Sequence, residues 1–263
     1  MTDPVPARGS LRSRGAALVS TLTLRQISAV LPPEQAWGLR LSRQIVAGVM
    51  DAFGPSLAGV SVKPIDAVVP DGRRIVGEWV RAPGVQSTDR AIFFVHGSGY
   101  ALCSPRTHRR LTSWMSRLTG LPVFAVDYRL APRHRFPTAA DDVRASWDWL
   151  TAQVPPDRVV IAGDSAGGHL AVDLLLQPEV AANPPAALVL FSPLIDLTLG
   201  LARAREALRR DPAIRVADAA RLLGLYTRGV DPAHQRLTLD VAGGPALPST
   251  LIQAGGAEML LGD

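Results

Sequence analysis

The sequence predicts an α/β domain, with a mainly parallel central sheet, helices on both faces and a helical cap. Short continuous apolar runs recur at 91–97, 121–129, 158–164, 186–193 and 249–255. Each is too short for a helix and bounded by turn residues, as expected of strands buried on both faces. Segments with helical spacing separate them, and such alternation makes neighbouring strands parallel with crossovers over both faces.

Residues 1–30 read as polar, Arg-rich and poorly periodic. After Pro32-Pro33, Trp37, Leu41, Ile45 and Val49 recur every four residues, with Val46, Met50 and Phe53 beside them, and predict an amphipathic helix over 34–53 that needs a partner surface. "VSVKPIDAVV", Asp71-Gly72 and "RIVGEWVRA" predict a β-hairpin. A helix is expected near 107–119, and another after Thr138, where Asp141 three residues on suggests a capping box and Val143, Trp147 and Leu150 mark the inward face. "AGGHLAVDLLL" follows the 158–164 strand at once as a mostly apolar helix. Residues 197–247 break the rhythm and read as a helical excursion that packs with the 34–53 helix as a lid. The expected division is a cap segment at 1–55, a core at 56–196, a second cap at 197–247, and a core strand with its loop at 248–263.

Composition excludes several functions. Hydrophobic residues make up 47% of the 263, enough for a sizeable core. The net charge of +5 comes from 28 basic and 23 acidic residues, and every basic residue except Lys63 is an arginine. These are scattered, and aromatics are only 5%, so no nucleic-acid-binding stripe is expected. The single cysteine, Cys103, allows no intrachain disulfide and no thiolate metal cage; it favours a reducing, cytoplasmic setting. Arg8, Arg12 and Arg14 before "GAALVSTLTL" resemble a leader, but Arg25 ends the apolar run and no small-x-small site follows, so export is the lesser reading. No stretch is long and apolar enough to span a bilayer.

Two motifs carry chemistry. Gly163-Asp164-Ser165-Ala166-Gly167 fits G-x-S-x-G between a buried strand and a helix. A chain that reverses there strains the serine backbone, admits only glycine two residues to either side, and lifts the hydroxyl above the sheet toward the helix N-terminus. "HGSGY" (96–100) follows another buried strand, and backbone N–H groups of Gly97, Ser98 and Ala166 are the expected oxyanion donors. The rival reading of "GSGYAL" as a dinucleotide loop lacks its third glycine, since Leu102 holds that position.

With "HGSGY", "YRLAPRHRFP" (128–137), "GDSAGG" (163–168) and "LIQAGGAEMLLGD" in this order, the chain resembles the hormone-sensitive-lipase-like branch of the α/β-hydrolases over about residues 30–263. The resemblance implies a serine carboxylesterase or lipase acting on short to medium acyl esters, with no cofactor, no metal and a helical cap. It further implies Ser165 as nucleophile, Glu258 as the triad acid with Asp263 as the alternative, and His96 and Gly99 as supports of the oxyanion loop. Ser98 stands where the family has glycine, and Asp196 reads as structural.

The triad order Ser, acid, His requires a histidine after the acid. The chain stops at Asp263, and the family's last strand, histidine loop and closing helix have no counterpart. His96, His108, His134, His169 and His234 all precede Glu258 and are expected to be structural or solvent-exposed. The expectation is therefore an esterase site without its general base, with a non-catalytic ligand-binding protein or a gene fragment as alternatives. An uncovered strand at 249–255 also predicts self-association through an open edge.

Overall fold

The computed structural model describes residues 10–22, 24–69 and 71–263, so Arg8 of the leader-like segment lies outside it. Among the described residues, β1 (Ser61–Val68), β2 (Arg74–Arg81), β3 (Ala91–Val95), β4 (Val123–Val126), β5 (Val159–Asp164), β6 (Ala187–Phe191) and β7 (Thr250–Gln253) form one sheet. Its order is β1-β2-β4-β3-β5-β6-β7. The β1–β2 hairpin is antiparallel and joins β4 antiparallel, while β4, β3, β5, β6 and β7 run parallel. Gly72 takes the left-handed backbone (φ +85°) that the hairpin turn requires.

All five residues of β3 are buried, and alternate ones serve opposite faces. Ile92 and Phe94 pack with Leu111 and Met115 of α4 (Pro105–Thr119). Phe93 and Val95 belong to the larger core with Val143, Trp147 and Leu150 of α5 (Thr138–Thr151) and Leu170 and Leu174 of α6 (Ala166–Leu175). Burial of each such large side chain stabilises the fold by about 1.5–3 kcal/mol.

Three local expectations need correction. Residues 11–30 hold two helices, α1 (Leu11–Leu22) and α2 (Leu24–Val30), rather than an aperiodic segment. The 34–53 helix exists as α3 (Ala36–Phe53), and Ile45 and Val46 of the expected face point inward; Trp37, however, is 55% exposed, and Leu39 is buried in its place. Thr138 is the first residue of α5, not its cap: Pro137 holds the N-cap with no side-chain bond, and Asp141 donates its N–H to Pro137 O. A reciprocal cap occurs instead at α4, where Thr107 Oγ1 accepts the Ser104 N–H at 3.1 Å.

A short helix, α7 (Pro178–Ala181), precedes β6, and the excursion after β6 contains α8 (Gly200–Leu208) and α9 (Val216–Thr227). With α2 and α3 it roofs the carboxyl ends of the strands. Arg221 on α9 pairs with Glu34 before α3 at 2.7 Å, and Ser28 on α2 donates to Asp218 on α9 at 3.1 Å. Arg25 on α2 reaches Asp211 O at 2.6 Å and Ile214 O at 2.9 Å. At the far edge, β7 is exposed along its length, with Leu251 61% and Ile252 60% accessible on opposite faces.

Candidate active site

The parallel register pairs Val95 with Gly163, so the turns after β3 and β5 leave the sheet side by side. Ser165 sits between β5 and α6 with φ 49° and ψ −120°, a sparsely populated conformation that costs about 1–3 kcal/mol. Its backbone is fully engaged: its N–H donates to Phe191 O at 3.0 Å, and its carbonyl accepts the N–H groups of Gly168 (2.9 Å) and Leu194 (3.0 Å). The glycine spacing has a direct cause. A Cβ on Gly163 would lie 2.7 Å from Gly167 O, and one on Gly167 only 2.0 Å from Val95 O.

In the neighbouring turn, Ser98 (φ 75°), Gly99 (60°) and Tyr100 (60°) are left-handed in succession. The turn therefore curls its backbone toward Ser165. The expectation for Gly97 is corrected. Its N–H is donated to Asp164 Oδ1 at 3.0 Å, and it does not line the cavity. Ser98 and Gly99 do line it, together with Ser165. The Ser98 hydroxyl is held by the buried Cys103 Sγ at 2.9 Å. Ala166, first residue of α6, has an N–H that the helix itself does not use. His96 supports the turn from below: its ring stacks on Tyr128 at 4.2 Å, and its carbonyl accepts the Tyr128 hydroxyl at 2.7 Å.

The cavity has a volume of about 280 Å³. Ile27, Ile45, Val46, Leu194, Leu222 and Leu223 make its wall largely apolar; Ser165, Ser98 and Asp164 are polar lining residues from the two turns, and Ser28 and Ser42 from α2 and α3. Nothing in this wall neutralises a charged acyl group. Among the described residues no group of three or more His, Cys, Asp or Glu side chains is arranged to hold a metal ion.

The two candidate acids differ. Glu258 accepts a short hydrogen bond from the Ser192 hydroxyl, and the adjoining Met259 is fixed by its N–H to Asp211 Oδ2 at 2.7 Å. Asp263 accepts from the N–H groups of Ile195 (3.0 Å) and Asp196 (3.3 Å), and burial pushes its pKa up to about 6. These two bonds tie the loop after β7 to the loop before α8. Asp196 is structural, its carboxylate accepting from Thr198 and from Leu201 at the start of α8.

No imidazole among the described residues hydrogen-bonds the Ser165 hydroxyl. His96 Nδ1 lies 3.1 Å from Gly97 O, and burial depresses this ring to about 3. His169, buried, has Nε2 3.4 Å from Leu237 O, and burial lowers it to about 4. His234 accepts the Arg236 N–H at 3.1 Å, and His134 closes a turn through its N–H to Leu130 O at 3.1 Å. His108, buried, lies 3.4 Å from Asp164 through Nε2. Burial opposes charge on both partners, yet each holds the other ionised, so His108 is raised and Asp164 lowered. That long-range contact carries no local sequence signal.

The model of the α/β-hydrolase fold family matches residues 92–263, the segment that holds Ser165, the left-handed turn at Ser98–Tyr100 and Glu258. The chain belongs to this family. This hydrolase is 37% identical over 215 residues to an acetyl-hydrolase of Streptomyces hygroscopicus, covering 81% of the chain and 69% of that relative. It is 35% identical over 200 residues to the carboxylesterase/phospholipase LipF of Mycobacterium tuberculosis, covering 70% of the chain and 52% of the relative. It thus spans about half the length of that second protein. A solved esterase of the bacterial hormone-sensitive lipase family superposes with a TM-score of 0.81 at 28% identity, covering 97% of the hydrolase and 82% of that chain. The solved EstE5 gives a TM-score of 0.80 at 29% identity, covering 96% and 81%. The hydrolase therefore sits in the hormone-sensitive-lipase-like branch, among carboxylic ester hydrolases.

Proposed function

We propose that the chain attacks uncharged carboxylic esters with short to medium apolar acyl groups and forms an acyl-enzyme at Ser165. One observation carries the reading: a strained serine between Gly163 and Gly167 opens into an apolar cavity beside the left-handed turn of Ser98 and Gly99. Ser165 Oγ bonds to the ester carbonyl carbon and gives its proton to a base, while the carbonyl electrons move onto oxygen. The oxyanion is received by the N–H groups of Ser98, Gly99 and Ala166; Gly97, whose donor is committed to Asp164, clamps the turn instead. Collapse of the adduct expels the alcohol, which takes the proton, and water then releases the acid by the same route. Glu258 is the carboxylate assigned to orient a base.

Turnover by these residues alone is slow in this proposal, because none of the five imidazoles hydrogen-bonds the Ser165 hydroxyl. Removing a triad member costs on the order of four to six decades in rate. A cytoplasmic setting and self-association through β7 belong to the same proposal; the structure's part is that no helix among the described residues is long and apolar enough to cross a membrane.

The test is stoichiometric acylation by an activated p-nitrophenyl ester, read by intact mass. A single acyl group on wild type and none on Ser165→Ala is expected; equal modification of both refutes the nucleophile. The engagement of Glu258 with Ser192, and of no imidazole with Ser165, favours a second reading as a ligand-binding protein. Saturable ester binding with no acyl adduct is its signature.

A further inference from the structure

His108 is not part of the chemistry described so far, yet it is buried, and its neighbours define its state. Its Nδ1 lies 3.0 Å from Thr107 Oγ1 and 3.4 Å from Ser104 O. The Thr107 hydroxyl donates its one hydrogen to Ser104 O at 2.7 Å and takes the Ser104 N–H at 3.1 Å, so it faces His108 as an acceptor. On the other side, Nε2 lies 3.4 Å from the Asp164 carboxylate. Both ring nitrogens thus look at acceptors, which only a doubly protonated ring satisfies.

The remaining ionisable groups facing the pair are few. His96, at the end of β3, stacks on His108 at 5.6 Å and is held neutral by burial. Cys103, in the turn, and Tyr128, after β4, are both pushed up by burial and stay protonated. His108 and Asp164 are left as the charges that answer each other.

Their placement has a consequence for the turn that lines the cavity. That turn leaves β3 at His96 and enters α4 at Pro105. Asp164 holds its entry through the Gly97 N–H and its exit through His108, and the next residue is Ser165.

We propose that His108 is a positioning residue: as a buried imidazolium it fixes the Asp164 carboxylate, and through it both ends of the 96–108 segment, against Ser165. The positioning role rests on the esterase reading above; the charged state of the pair does not.

Two measurements test it. Long-range ¹H–¹⁵N correlation on the labelled full chain at pH 7, above the ordinary imidazole value of about 6.5, reads the His108 ring, assigned by its absence in His108→Gln. Protons on both nitrogens are expected, with one lost in Asp164→Asn, which keeps an acceptor for Gly97 but removes the charge. A singly protonated His108 in folded wild type overturns the proposal. The second readout is the rate at which an uncharged ethyl p-nitrophenyl alkylphosphonate diester modifies Ser165 with loss of p-nitrophenolate, followed by intact mass across pH. His108→Gln is expected to slow it about 10- to 100-fold and to remove an alkaline fall present in wild type. The same rate and profile in both proteins overturns the positioning role. If wild type takes no phosphonate at all, the esterase reading and the positioning role fall together, and the ring spectrum still decides the charged pair.

Discussion

The Gly97 N–H and the Asp164 carboxylate meet at 3.0 Å, joining the turn after β3 to the residue before Ser165. The contact is possible only because Gly97 lacks a side chain. A Cβ there would lie 2.4 Å from Asp164 Oδ2, 2.5 Å from Asp164 O and 2.9 Å from Ser165 Cβ.

Gly97→Ala should therefore push the turn away from the elbow. The expected result is a loss of Ser165 modification of about 100-fold and a destabilisation of about 1–3 kcal/mol. Gly120→Ala is the control, because Gly120 has φ +70° but no atom near a Cβ. It should cost about 1–2 kcal/mol from the left-handed backbone and leave the modification rate unchanged. Urea melts and modification kinetics on the two variants decide; equal rates in both contradict the steric account.

Exogenous imidazole should accelerate acylation of Ser165. The cavity of about 280 Å³ adjoins the hydroxyl, and no imidazole of the chain bonds it. The measurement is the acylation rate against imidazole concentration in wild type and Ser165→Ala. Saturating acceleration in wild type alone is the predicted pattern, and parallel slopes contradict it.

Stability should fall on mild acidification. His169 is neutral when folded because burial lowers its pKa to about 4. The unfolded chain binds that proton near pH 6.5, so the contribution is whole above that value. It is lost as the pH drops toward 4, by on the order of 3 kcal/mol. His96, lowered to about 3, acts in the same direction. His108, raised, works oppositely: its contribution is full below about pH 6.5 and is lost as pH rises through its folded value. Urea midpoints between pH 7 and 4 should decline in wild type and decline less in His169→Gln. Identical slopes exclude His169 as a cause.

The β7 edge should promote association. Leu251 and Ile252 are exposed on opposite faces of a strand paired on one side only. Sedimentation of wild type should depend on concentration, and Leu251→Lys with Ile252→Lys should shift the population toward monomer. A wild type that stays monomeric at high concentration removes the prediction.

Much of this molecule was legible in the sequence because its signals are local. The elbow is written in glycines whose absent side chains would strike backbone one turn away, and the buried strands are written in unbroken apolar runs. What escaped is non-local or faces solvent. Gly97 reads as a donor until the end of β5 brings Asp164 to it. Helix α1 shows little period because it has little core to face: Leu11, Leu18 and Leu22 are 83%, 61% and 67% exposed. Helix α2 has only seven residues, and among those it turns toward the protein are the polar Arg25 and Ser28. Thr138 resembles a cap, but Pro137 already has the boundary position and the threonine becomes the first helical residue.

The roof and the floor of the cavity are held by different means. The floor is a sheet whose central strand is wholly buried, whereas α2 is tied to the α9 region by Arg25 and Ser28, side chains bonding across roughly 190 residues of chain. Amides of α2 should thus exchange with deuterium long before those of β3 and β5, so that the cavity's ceiling breathes while the serine beneath it keeps its strained geometry.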